Sequence, residues 1–136
     1  MAITQAMCTS FKEDLFQKEQ DLDSDTIKIA LYTSSASLGA ATTAYTTSGE
    51  VASGNGYTTG GNTLTSPVIG TSGTTAYVDF ANPEWTSASF TTAGALIYND
   101  TTAGNNAIAV LNFGGDFTVT SGTFRIVFPT PGAAGL

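Results

Sequence analysis

Protein chemistry needs side chains that move protons, attack substrates or hold ions, and this 136-residue chain carries few of them. It has no histidine, which removes the commonest general base and the commonest metal ligand. Ser-His and Cys-His catalysis are therefore excluded. Cys8 is the only cysteine, so no internal disulfide can form and a zinc site lacks its ligands. Cys8 reads as a small buried apolar residue rather than a reactive thiol.

Carboxylates are the remaining route to acid–base work. Asp79 and Glu84 flank a turn, while Asp100 and Asp116 fall in loops. They read as solvated loop acids rather than a catalytic pair in a cleft. Asp21, Asp23 and Asp25 match positions one, three and five of a calcium loop. The later positions that need Gly and Glu, six and twelve, hold Thr26 and Tyr32, so a solvated turn is the simpler reading. Gly54-Asn55-Gly56 and Gly60-Gly61 lack the Lys of a phosphate loop and read as turns that need positive φ. Tyr57, Trp85, Phe90 and Tyr98 could form a sugar platform, but aromatics in a β domain more often belong to the core. No catalytic, cofactor-binding or metal-binding residue is assigned, and no cofactor and no enzymatic activity are expected.

The elements that hold these residues follow from periodicity. Residues 1–25 contain no Gly or Pro and hold six of the eleven acids. Ile3, Met7, Phe11 and Leu15 recur every four residues, which predicts an amphipathic helix over roughly 3–18, followed by the acidic turn Asp21–Asp25. The stripe needs a cover, which is either the domain itself or a partner. From Thr26 the period becomes two. Ile27, Ile29 and Leu31 predict a first strand. Tyr57–Leu64 and Ser66–Ile69 are weaker strand candidates. Ala76–Phe80, Trp85–Phe90, Ala95–Tyr98, Ala107–Phe113, Phe117–Val119 and Phe124–Phe128 follow. Asn82-Pro83, Asn99–Asn106, Gly114-Gly115-Asp116 and Ser121-Gly122 separate them, and Pro129 and Pro131 end the pairing. Ala107–Phe113 is apolar on both faces and belongs near a sheet centre.

Six to nine short strands without a second helix predict a mainly β single domain over 1–136. It comprises a helix and acidic turn over 1–25, an antiparallel β-sandwich or jelly-roll-like body over 26–129, and a flexible tail over 130–136. Charged residues make up 11% of the chain, and Ser and Thr roughly a quarter. The net charge of −7, with four Lys and Arg, argues against nucleic acid and against anionic membrane surfaces. No apolar run approaches the length of a transmembrane helix. The start MAITQAM has neither a basic nor an apolar signal region, so synthesis and assembly in the cytosol are expected. A coat of short hydroxyl side chains loses little side-chain entropy on contact and suits close packing against neighbours.

SFKEDLF, DTIKIALYTSSASLGAATTAYTTSGEVASGNGYTTGGNTL and ALIYNDTTAGNNAIAVLNFGGDFTVTSGTFRIVFP resemble small virion proteins of tailed bacteriophages, over most of residues 8–129. The most specific pieces are Gly56-Tyr57-Thr58 with Gly60-Gly61, Ala95-Leu96-Ile97-Tyr98-Asn99 and Phe113-Gly114-Gly115-Asp116. The resemblance implies a structural virion protein, similar to the capsid decoration (cement) proteins that sit on the outer shell. Its implied partners are the major capsid protein and further copies of this chain, and its implied location is the virion surface. The alternative is a tail or fibre-associated protein that binds a receptor or glycan. Dimers and trimers both remain open.

Overall fold

The computed structural model describes residues 2–128. The chain runs β1 (Ala6–Met7), α1 (Thr9–Phe16), β2 (Ile27–Tyr32), β3 (Asn62–Thr63), β4 (Val68–Ser72), β5 (Thr75–Asp79), β6 (Glu84–Asn99) and β7 (Ala107–Arg125). The protein is mainly β, with one short helix and two antiparallel sheets among the described residues. The larger sheet has the order β1-β7-β6-β2-β3, and β4 and β5 form a separate hairpin.

The expected helix over 3–18 is corrected to Thr9–Phe16. Residues before it are extended because sheet and loop partners offer their backbone hydrogen bonds. Thr4 N–H donates to the Leu38 carbonyl at 2.9 Å, and Cys8 N–H donates to the Ile108 carbonyl at 2.9 Å. Ile3 and Thr4 are β-branched and lose little in an extended strand. A spacing of four thus spans two kinds of structure. Only Phe11 of the four-residue stripe is buried, next to Cys8, while Met7 and Leu15 are exposed. The helix stops at Gln17, and Lys18 takes a φ of 63°.

The predicted separate strands Trp85–Phe90 and Ala95–Tyr98 are one strand, β6. Ala107–Phe113, Phe117–Val119 and the start of Phe124–Phe128 merge into β7. Gly114-Gly115 and Ser121-Gly122 do not reverse the chain. They are irregularities inside β7, with φ of 83° at Gly114, 154° at Gly115 and 48° at Ser121. Extra residues bulge out while the ladder to β6 resumes on the far side. The hairpin loop Asn99–Asn106 forms as expected, and β7 lies between β1 and β6 at Ala109 and Val110, which agrees with its two apolar faces. Of the weak candidate Tyr57–Leu64 only Asn62–Thr63 forms a strand, paired with Ile29 and Lys28, while Tyr57 makes an isolated bridge with Gly54. The expected stops at Pro129 and Pro131 and the tail 130–136 lie outside the described residues.

The core sits where β2, β6 and β7 run side by side. Ala30, Leu31 and Tyr32, then Ala95, Leu96 and Ile97, then Ala107, Ile108 and Ala109 are consecutive buried residues. Burial without alternation means that both faces of this part of the sheet are covered. Further along, β7 is exposed from Gly114 to Thr118 and mixes half-buried and exposed positions on either side. No helix among the described residues is long and apolar enough to cross a membrane.

Candidate functional site

A polar cluster that ties a long loop to the sheet is built on Glu50. It is the only charged residue between Lys28 and Asp79. A tight turn at Ser48-Gly49 brings it beside β2, where Tyr32 and Glu50 form an antiparallel bridge. Gly49 is required there, because its φ is 80° and a Cβ would sit 2.7 Å from Ala36. Val51 N–H donates to the Leu31 carbonyl at 2.9 Å and Thr33 N–H to the Gly49 carbonyl at 2.8 Å, which fixes the segment on both sides.

Three donors converge on the Glu50 carboxylate. Tyr45 OH donates to Oε1 at 2.5 Å, Tyr57 OH donates to Oε2 at 2.5 Å, and Gly60 N–H donates to Oε2 at 2.7 Å. The Tyr57 oxygen also accepts the Leu31 N–H at 3.0 Å. Tyr98 OH donates to the Gly60 carbonyl at 2.7 Å, and its ring stacks on Tyr45 at 4.5 Å between centroids. Tyr32 OH donates to the Thr46 carbonyl at 2.6 Å. Four of the five tyrosines thus pin the 45–61 segment to β2 and β6.

The positive-φ glycines make this approach possible. Gly54, Gly56, Gly60 and Gly61 all have positive φ, as their reading as turns requires. At Gly61 a Cβ would lie 1.8 Å from the Ile29 carbonyl oxygen, so only glycine lets the loop lie on β2.

The chemistry of the group is that of a lock. Burial pushes the Tyr98 hydroxyl up to about 12, with the charges of Asp100 and Glu50 adding to it. Burial raises Tyr32 and Tyr57 further, and at Tyr57 the hydrogen bond to Glu50 acts in the same direction. Burial and the Glu50 hydrogen bond likewise raise Tyr45. Each ring is a neutral donor, and the carboxylate that receives them is already engaged three times.

The other residues with chemical potential are dispersed. Cys8 is buried, and burial pushes its thiol up to about 11. Glu84 is ion-paired with Arg125 at 2.7 Å, whereas Asp79 sits at the base of the β4–β5 hairpin opposite Val68. Asp100 N–H closes onto Thr26 at the loop end of β6, while Asp116 lies beyond the Gly94–Asn112 pair, so the inner ladder separates them. In the acidic turn, Asp21 Oδ1 accepts the N–H groups of Asp23 and Ser24 at 3.1 and 3.3 Å. Asp25 Oδ2 accepts Asp21 N–H and the Asn99 amide. These carboxylates are engaged by the turn and by β6. No group of three or more Cys, Asp or Glu among the described residues is placed to hold a metal.

The candidate sugar platform is interior. Trp85, Tyr57 and Tyr98 are buried, and Phe90 is half-buried. Tyr57 stacks toward Trp85 at 6.5 Å, and Phe90 meets Phe124 edge-on at 5.7 Å. Trp85 Nε1 has no hydrogen-bond partner among the described residues. Periodicity could not have found Glu50, but its isolation in an uncharged stretch is a signal. A lone acid among Thr, Ser and Gly needs nearby donors if it is to be enclosed.

A second polar knot fastens the helix. Gln20 Nε2 donates to Asp14 Oδ2 at 2.9 Å, Asn99 Nδ2 donates to Gln20 Oε1 at 3.2 Å, and Asn106 Nδ2 donates to Asp14 Oδ2 at 3.1 Å. The domain itself therefore covers part of the helix. Leu15 remains about half exposed and Phe16 is 91% exposed.

Comparison with protein-family models, with curated proteins and with solved structures found no match to this chain.

Proposed function

We propose that this protein is a structural component of a tailed-phage virion, and specifically a decoration protein that binds the outer capsid and bridges neighbouring major capsid subunits. The observation that carries the reading is the character of the exposed surface. Leu15 and Phe16 at the end of α1, and Val68 and Ile69 on the β4–β5 hairpin, stand out from a surface otherwise rich in Thr, Ser and Gly. Exposed apolar side chains in groups mark contact surfaces. The resemblance of residues 8–129 to phage virion proteins supplies the partner. The buried tyrosine lock supports a mechanical role, because its polar groups hold loops in place.

In this reading the protein works by mass action. Binding only to the assembled shell stabilises that shell by linkage, and repetition over a lattice adds avidity. Its partners are the major capsid protein and other copies of itself, and it acts on the virion surface. The net charge of −7 supports a role without nucleic acid or anionic membranes. The reading also takes the fold as sandwich-like. Burial on both faces of β2 and of the inner part of β6 supports this.

The test is co-sedimentation of the purified protein with expanded capsids, alongside a variant carrying Leu15→Ser and Phe16→Ser. Saturable binding that the double variant weakens supports the proposal. Absence of capsid binding, with co-purification on tails instead, overturns it.

A further inference from the structure

Among the described residues, no strand covers the outer edge of β7 over most of its length. β1 covers it only at Ala109 and Val110, and the Asn112 N–H is taken by Gln5 Oε1 at 3.1 Å. From Phe113 to Arg125 no described strand pairs on that side. Beside this edge lies a groove of about 280 Å³ lined by Phe113, Phe117, Phe124, Arg125, Ile126 and Val127. Phe117 and Val127 are more than half exposed.

We infer that this edge is a self-association surface: two copies join their β7 strands antiparallel about a two-fold axis at Thr120–Ser121. The argument is one of self-complementarity. Asp116 and Arg125 are symmetric about the Thr120–Ser121 bond, and so are Phe117 and Phe124, and Thr118 and Thr123. An antiparallel pairing about that point sets Asp116 of one copy beside Arg125 of the other, at both ends of the ladder, so that Arg125, ion-paired with Glu84 of its own chain at 2.7 Å, is shared between two carboxylates. It sets Phe117 beside Phe124 in the same way.

The bulge at Ser121 makes this register possible. Phe117, Val119 and Phe124 pair with Thr92, Phe90 and Trp85 of β6. Phe90 and Trp85 belong to one aromatic cluster with Phe124, so Phe117, Val119 and Phe124 share a face although 117 and 124 differ by an odd number. The extra residue lies between Val119 and Gly122, where Ser121 has positive φ and its N–H turns inward to Ser89 Oγ at 2.9 Å. In a regular two-fold ladder one residue faces its own copy. Here Thr120 and Ser121 together take that position, so the aromatic and charged pairs fall on matching faces. A partner of other sequence would not have its charges and rings spaced to this centre, and an isologous contact is the commonest closed symmetry.

This surface belongs to the free protein and does not depend on capsid binding, so self-association and capsid co-sedimentation are measured separately. The experiment is sedimentation velocity over a concentration series, with native mass spectrometry, on the full chain. The wild type is expected to dimerise. Asp116→Arg and Arg125→Asp each place like charges opposite one another and should weaken the dimer about tenfold or more. Mixed together, the two variants restore both opposite-charge pairs and should form a heterodimer. Thr120→Cys should give a disulfide-linked dimer on mild oxidation, whereas the buried Cys8 of the wild type should not. Circular dichroism confirms that each variant is folded. A wild type that stays monomeric into the millimolar range overturns the inference. So does an oligomer indifferent to both charge reversals, or a mixture that does not pair.

Discussion

Replacing Glu50 by Ala removes one acceptor that serves three donors. Tyr45 is half-buried and can turn its hydroxyl to water, but Tyr57 is buried and Gly60 N–H points into the lock. Hydrogen bonds to a charged group contribute about 1.5–3 kcal/mol net, so leaving two enclosed donors without a partner should cost about 3–5 kcal/mol. Unfolding entropy of about 2.1 cal/mol/K per residue over the 136 residues of this chain makes that loss a fall of about 10–17 °C in Tm. Glu50→Gln keeps one carbonyl acceptor and should fall between Ala and wild type. Scanning calorimetry of both variants, with Tyr57→Phe and the Glu50→Ala/Tyr57→Phe pair, completes a double-mutant cycle. Residues joined by a hydrogen bond should couple by about 0.5–3 kcal/mol. A Glu50→Ala protein within 2–3 °C of wild type (about 1 kcal/mol), or strictly additive losses in the pair, would refute the view that this cluster holds the loops.

Further outcomes follow from single positions. Gly61→Ala should unfold or severely destabilise the protein in urea titration, since its Cβ would meet the Ile29 carbonyl at 1.8 Å. Gly73→Ala, with φ 60° and open space around it, should lose only about 1 kcal/mol. Phe11→Ala should cost about 3–5 kcal/mol because the ring is buried, while Phe16→Ala, at 91% exposure, should stay within about 0.5 kcal/mol of wild type by chemical denaturation. Alkali should destabilise the fold. Cys8 and Tyr98 have folded pKa values raised to about 11 and about 12, so their contribution is whole below the unfolded values of 9.0 and 10.0 and is lost as pH rises through the folded ones. Each tenfold weakening of a group's acidity corresponds to about 1.4 kcal/mol, so the buried thiol alone accounts for roughly 2–3 kcal/mol between pH 9 and 11. Cys8→Ala should flatten that first part of the decline in urea midpoints measured against pH, and an unchanged slope would show that the thiol is not the source.

Much of the architecture is written locally. The two-residue period that begins at Thr26 marks β2, and the one helix among the described residues lies before it, because side-chain direction along helix and strand is a property of a few neighbouring residues. The glycines at 54–61 announce turns, since only glycine enters positive φ without strain. The absence of histidine, the single cysteine and the broken calcium pattern limit the chemistry before any folding is considered.

Tertiary structure decided what local pattern could not. Ile3 and Met7 have helical spacing, yet Leu38 and the β7 edge supply partners to residues 2–8, so these residues are extended. Gly114-Gly115 and Ser121-Gly122 carry every mark of turns, but their neighbours on β6 continue the ladder past them, so two bulges replace two reversals and the segments become one strand. Glu50 carries no motif at all. Its role comes from Tyr45, Tyr57 and Gly60, which only the folded chain places around it. Periodicity reports which way a side chain points, whereas hydrogen-bond partners distant in sequence determine whether a segment turns, bulges or pairs.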